Sequence, residues 1–273
     1  MPNPTSPDKL VGARFIAPSP AKGTQPEGAH TEADASSKVR EMFTQIAPRY
    51  DLLNHLLSFQ MDRLWRARVA SFLRPILEGK SPLVLDLCCG TGDLGIALAE
   101  RFTPQVIGAD FALPMLARAK EKCEAQRGKN LVQLRHPKFV GADALRLPFA
   151  DQSFDLVTTA FGFRNLANYE AGLREIHRVL KPGGTVAILE FTEPPDNFLG
   201  NVYRWYFRRV LPRIGAAISG DSAAYTYLPK SVSRFFLPPE LASLMATVGY
   251  TSVDFKVWTF GTVALHTAIR PRL

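Results

Sequence analysis

The chain has only three cysteines in 273 residues, Cys88, Cys89 and Cys123. A set that sparse and odd-numbered excludes a disulfide framework and fits a reducing compartment. Long apolar runs are also missing: no window of about 18 residues is apolar enough to read as a membrane span. No grouping of His, Cys and Asp has metal-ligand spacing, so no metal is expected. Residues 1–37 lack any apolar period and any secretory h-region. They are rich in Pro, Gly, Ala, Ser and Thr and read as a disordered leader. What is present is an ordinary globular balance, 46% hydrophobic and 21% charged. The net charge of +8 suits nucleic acid or an anionic membrane surface and does not choose between them.

A helical pattern follows the leader. Val39, Met42, Phe43 and Ile46 recur at helical spacing, and a second amphipathic run covers Leu52 to Phe72. Residues 38–78 are therefore expected as a helical lid on a domain spanning 38–273. From residue 83 onward, short β-like segments alternate with helical ones: 83–88, 94–102, 105–110, 112–126, 138–143, 154–162, 169–180 and 185–191. That alternation predicts an α/β fold with a parallel sheet covered by helices on both faces. A last helix (239–248) and two segments at 252–258 and 263–270, joined by a short turn, predict a hairpin that adds an antiparallel member. Residues 194–239 break the pattern and read as a cap insertion. There, Arg204, Arg208, Arg209, Arg213, Lys230 and Arg234 interleave with aromatic residues. Such a stretch can bind single-stranded nucleic acid, lie at an anionic lipid interface, or simply cap a pocket.

The chemistry concentrates in Val84-Leu-Asp-Leu-Cys-Cys-Gly-Thr-Gly-Asp-Leu-Gly95. Gly90, Gly92 and Gly95 satisfy G-x-G-x-x-G after a strand, and Asp110 closes the next strand, which also describes an NAD-type site. Asp86 just before the turn suits a cationic ligand better than a pyrophosphate. A second acidic strand end, Asp143, can take an adenine amino group, and a second mononucleotide-binding half is missing. S-adenosylmethionine, with a sulfonium, an ammonium and no phosphate, fits this set better than a dinucleotide. His177 and His266 read as structural, and neither Cys88 nor Cys89 is expected to act as a nucleophile.

Three longer stretches carry a resemblance: VLDLCCGTGD, GADALRLPFADQSFDLVTTAFGFRNL and REIHRVLKPGGTVAILEF. Together with FTQIAPRYDLLNHLLSFQMDRLWR and LPRIGAAISGDSAAYTYLPKSV, they resemble the ubiquinone/menaquinone biosynthesis C-methyltransferases from about Val39 to Arg270. The resemblance implies a class I S-adenosylmethionine-dependent methyltransferase. That fold is a Rossmann-like, seven-stranded, mostly parallel sheet with an N-terminal helical lid. It assigns cofactor contacts to Thr91, Asp110 and Asp143 with Ala144, which join Asp86, Gly90, Gly92 and Phe111 as the expected cofactor-binding set; at Ala160, where many members carry serine, the side-chain contact is absent. The implied reaction is C-methylation of a reduced prenylated quinone. Arg164 is expected to steady the developing quinolate, Tyr50 and Asn165 to orient the ring, and Asp51 or water to accept the proton. The implied partners are the quinol and, transiently, a membrane surface, with no nucleic acid and with a homodimer left open. The implied location is cytoplasmic, or peripheral at the inner face of the membrane. An RNA or other small-molecule methyltransferase of the same fold, and a non-enzymatic scaffold, are the alternatives.

Overall fold

The computed structural model describes residues 23–51, 60–79, 81–102, 104–127, 136–196, 198–205, 209 and 223–272. Among them a seven-stranded sheet runs in the order β3-β2-β1-β4-β5-β7-β6. Its strands are β1 (Leu83–Leu87), β2 (Gln105–Asp110), β3 (Lys138–Gly141), β4 (Phe154–Ala160), β5 (Leu180–Phe191), β6 (Thr251–Trp258) and β7 (Val263–Ile269). The first five strands in spatial order are parallel. β7 pairs antiparallel with both β5 and β6, as the hairpin pattern predicts.

Period-two alternation sends each strand's side chains into two cores. Leu85, Leu87, Val157 and Ile188 face α6 (Tyr169–Val179) and α9 (Pro238–Val248). Val84, Val106, Leu156 and Leu189 face α2 (Met61–Phe72) and α4 (Asp93–Phe102). The remaining helices are α1 (Glu32–Ile46), the short α3 (Arg74–Leu77), α5 (Leu113–Arg127), α7 (Phe198–Trp205) and α8 (Ala223–Ser233).

The structure moves several expected boundaries. The leader ends earlier than residue 37, because α1 starts at Glu32 behind a capping box. Thr31 Oγ1 accepts from the Asp34 N–H, and Asp34 returns a bond to the Thr31 N–H, each 3.1 Å. Residues 23–27 run as a strap over the loop after β4. The lid expected over 38–78 also divides. Residues 32–51 pack against α5, whereas Trp65, Val69 and Leu73 of α2 are buried in the sheet's second core. α6 stops at Val179, one residue before its expected end, and Lys181–Gly184 forms an irregularity within β5. Residues 1–22, 52–59 and most of 206–222, parts of the leader, lid and cap calls from sequence, lie outside the described residues.

Where β1 and β4 end, the backbone is strained. Cys88 (φ 52°) and Phe161 (φ 61°) both take the left-handed conformation that side chains disfavour. The two chain ends approach so closely that a Cβ on Gly162 would lie 2.4 Å from Cys88 Cβ. Gly162→Ala is therefore expected to lower stability by about 1–3 kcal/mol in urea denaturation. The cost should shrink in a Cys88→Gly background; equal costs in both backgrounds would mean that this contact does not set the approach.

Candidate active site

A cavity of about 980 Å³, including its part open to solvent, lies over the carboxyl ends of β1, β2 and β4. This is where an open α/β sheet reverses strand order and leaves a crevice. The turn after β1 forms one wall. Gly90 (φ 55°) and Gly92 (φ 82°) adopt the left-handed conformation that lets the chain turn tightly into α4. The Gly90 N–H donates to Asp110 Oδ2 and the Ala112 N–H donates to Asp110 Oδ1, each at 2.9 Å. Asp110 thus ties the glycine turn to the end of β2, and burial pushes its carboxyl up from the ordinary range.

Asp86 is buried beneath the turn. Its Oδ2 accepts from the Gly95 N–H at 2.9 Å and its Oδ1 from the Thr158 hydroxyl at 3.1 Å. One carboxyl group therefore joins β1, β4 and the first turn of α4. Burial, with Asp93 and Asp110 nearby, raises its pKa to about 7 against the stabilising hydrogen bonds. Asp143, at the end of β3, accepts from the Leu145 N–H at 2.9 Å and also lines the cavity. Among the described residues, the carboxyl groups lining the cavity are thus Asp86, Asp93, Asp110 and Asp143, with one basic side chain, Arg66. Arg66 is itself paired with Asp62 at 2.5 Å and Asp93 at 3.4 Å. An acid-dominated cradle of this kind fits a cationic ligand and repels a pyrophosphate, so the donor set fits S-adenosylmethionine.

Most of the expected site residues meet at this cavity. Asp86, Gly90, Thr91, Asp110, Phe111, Asp143, Ala144, Ala160, Tyr50 and Asn165 all line it. Three do not. Gly92 serves the fold, since a Cβ there would meet Ala119 and the Phe139 ring at 3.1 Å. Asp51 sits one side chain back, ion-paired with Lys122 at 2.7 Å and accepting from the Thr91 hydroxyl at 2.6 Å.

Arg164 is the third. It is 6% exposed and is not among the residues that line the cavity. It pairs with Glu190 at 2.8 Å, donates to the Phe161 carbonyl and to Ser231 Oγ, and stacks 5.4 Å from the Phe191 ring centroid. These contacts tie the loop after β4 to β5 and to α8.

Sequence reasoning missed Ser36 and Phe43 of α1, and also Phe161, all of which line the cavity together with Cys88 and Cys89. The Thr31-x-x-Asp34 capping signature was the available signal for the earlier start of α1. Burial among carboxylates pushes both thiols well above their ordinary pKa, which disfavours their thiolate forms. Burial likewise lowers His266 to about 4, and both His177 and His266 lie away from the cavity.

Comparison with known proteins agrees with this geometry. The model of the ubiE/COQ5 methyltransferase family matches residues 31–270. A demethylmenaquinone methyltransferase of Thermus thermophilus is 52% identical over 231 residues, covering 84% of this chain and all of that one. A demethylmenaquinone methyltransferase of Deinococcus radiodurans is 48% identical over 230 residues, 84% of this chain and 90% of that one. Among solved structures, an S-adenosylmethionine-dependent methyltransferase from Thermotoga maritima matches with a TM-score of 0.58 at 18% identity, covering 85% and 99% of the two chains. The cyclase SpnF matches equally well, with a TM-score of 0.58 at 18% identity over 92% and 100%.

The buried Arg164–Glu190 pair yields a direct test. Glu190→Gln leaves the guanidinium without its counter-charge and is expected to cost about 3–5 kcal/mol in chemical denaturation. Arg164→Met/Glu190→Leu together should cost much less than the sum of the single changes.

Proposed function

The chain belongs to the ubiE/COQ5 methyltransferase family, and we propose that it C-methylates demethylmenaquinol to menaquinol with S-adenosylmethionine as methyl donor. The observation that carries this reading is the acid-lined cavity, one wall of which is the glycine turn and another the aromatic residues Phe43, Tyr50 and Phe161. The cofactor, when bound, supplies an electrophilic methyl group. Asp86, Asp110 and Asp143 would hold it, with Gly90 and Thr91 allowing close backbone approach.

The protein's own part is to orient the acceptor ring and manage its protons. Loss of a hydroxyl proton makes the adjacent ring carbon nucleophilic. That carbon gains the methyl and gives up its own hydrogen as a proton, so that the ring regains aromaticity and one proton is released overall. Asn165 offers an amide to a ring oxygen, and Tyr50 and Phe161 bound the slot that excludes bulk water. With Asp51 committed to Lys122 and Thr91, water is the proton acceptor.

A prenylated acceptor lives in a bilayer, and no helix among the described residues is long and apolar enough to cross one. Contact at the surface is the reading the exposed aromatics favour. Phe260, at the tip of the β6–β7 turn, is 76% exposed and Trp205 of α7 is 62% exposed. α7 packs against that turn, and Trp65 Nε1 of α2 donates to Thr259 Oγ1 within it at 2.8 Å. Arg68 stacks on Trp258 beside it. Aromatic tips flanked by arginines suit an anionic lipid interface.

Demethylmenaquinol presented in anionic vesicles with labelled S-adenosylmethionine should yield a product heavier by one methylene, identified by mass. Phe260→Ser/Trp205→Ser should slow the reaction on vesicles and leave it unchanged in detergent. Steep, salt-sensitive RNA binding with no labelled quinol would overturn the reading. A second expectation concerns pH. A cationic ligand favours the Asp86 carboxylate, so binding expels the proton held up to pH about 7. Cofactor affinity measured calorimetrically should therefore rise from pH 5.5 to 7, by up to about tenfold per unit, and flatten in Asp86→Asn. The same raised pKa makes Asp86's contribution to the stability of the free protein greatest below about pH 4, declining as pH rises to about 7.

A further inference from the structure

Asn165 is the polar side chain at the cavity wall whose donor and acceptor ends can be assigned from its neighbours. One end of its amide lies 3.4 Å from the Phe161 carbonyl oxygen, which can only accept, so that end is Nδ2. The other end, Oδ1, accepts from the Tyr227 hydroxyl of α8 at 2.9 Å. Tyr227 has then spent its only proton, so the Thr24 hydroxyl, 2.8 Å away, is the donor to Tyr227. The direction of the whole chain follows from one carbonyl: Thr24 to Tyr227 to Asn165, and Asn165 to Phe161. The second N–H of Asn165 Nδ2 remains for a group in the cavity.

Thr24 is 7% exposed and sits in the strap that precedes residues 31–270, the part matched by the family. The strap is fastened along its length. The Thr24 N–H donates to the Leu166 carbonyl at 2.8 Å, Arg234 donates to the Gln25 carbonyl at 3.1 Å, and Lys230 pairs with Glu27 at 3.2 Å. Gly23 lies against the Ala167 carbonyl so closely that a Cβ would sit 1.8 Å from its oxygen. Leu166 and Ala167 both line the cavity. Burial raises the Tyr227 phenol, so it stays protonated and able to donate.

We propose that Tyr227 and Thr24 are positioning residues: acting in series, they lock the Asn165 amide so that Nδ2 is the donor presented to the oxygen of the acceptor ring. The strap residues Gly23–Gln25 are thereby part of the active site. This rests on the reading that a quinol ring occupies the cavity and adds what orients it. A donor held in place strengthens its bond as charge develops on the ring oxygen, which raises kcat more than it tightens binding.

Tyr227→Phe and Thr24→Val each remove one hydroxyl and keep the side chain's shape. In the full chain, Tyr227→Phe is expected to lower kcat about tenfold or more, with KM for the quinol and the dissociation constant of S-adenosylmethionine changed little. Thr24→Val should lower kcat less, about threefold, and Thr24→Ser should restore it. The double variant should be no slower than Tyr227→Phe alone, because the two act in one chain. A second readout needs no turnover: the side-chain NH2 resonances of Asn165 in the free protein should move in both variants. Unchanged kcat in Tyr227→Phe, multiplying losses in the double variant, or unmoved amide resonances would each overturn the proposal. A wild-type protein that leaves the quinol unmethylated while the amide resonances move would sink the substrate reading and leave the amide lock standing.

Discussion

The site depends on one buried ion pair, Arg164 with Glu190. A guanidinium taken from water is costly unless its charge and its donors are all met. Here Glu190 supplies the charge, the Phe161 carbonyl and Ser231 take further N–H groups, and the Phe191 ring covers a face. Those partners come from β5, from the end of β4 and from α8. Satisfying one arginine therefore fixes where the loop after β4 runs relative to α8. That loop carries Asn165, Leu166 and Ala167 into the cavity, and α8 carries Tyr227 against Asn165.

Asp86 performs a comparable task on the other side. It holds the first turn of α4 through the Gly95 N–H and β4 through Thr158, and it remains a titrating group at the cavity floor. The same carboxyl thus has a structural and an electrostatic role, and the two are linked. Burial that makes it a good anchor also raises its pKa, and a cationic ligand reverses that shift. Asp110 repeats the arrangement at the end of β2, where it fastens the glycine turn from outside.

A fold shared with SpnF, a cyclase, cannot by itself assign a reaction. The site narrows the choice. Four carboxylates against one already paired arginine disfavour a phosphate-bearing cofactor, and an aromatic wall beside an amide donor suits a flat oxygenated ring.

Much of this was legible in the chain. Period-two and helical patterns gave the sheet, its helices and the closing hairpin, because those patterns reflect which face of each element meets the core. The glycine turn, Asp86, Asp110 and Asp143 were readable because their spacing along the chain fixes them at neighbouring strand ends. The helix start at Glu32 was marked by Thr31 and Asp34, a signal that the reading of residues 1–37 as a leader did not use. Arg164 was not readable. Its motif marked it as important, but whether a long side chain turns toward a cavity or back under its own loop depends on partners far along the chain, Glu190 and Ser231. Likewise Thr24, Asn165 and Tyr227 lie at separations of up to 203 residues, and nothing local joins them. Sequence alone determined the strands, the turn and the acids at their ends, since local spacing governs them. Only tertiary structure decided which polar side chains face the ligand and which hold the wall, since that choice depends on where each donor finds its acceptor.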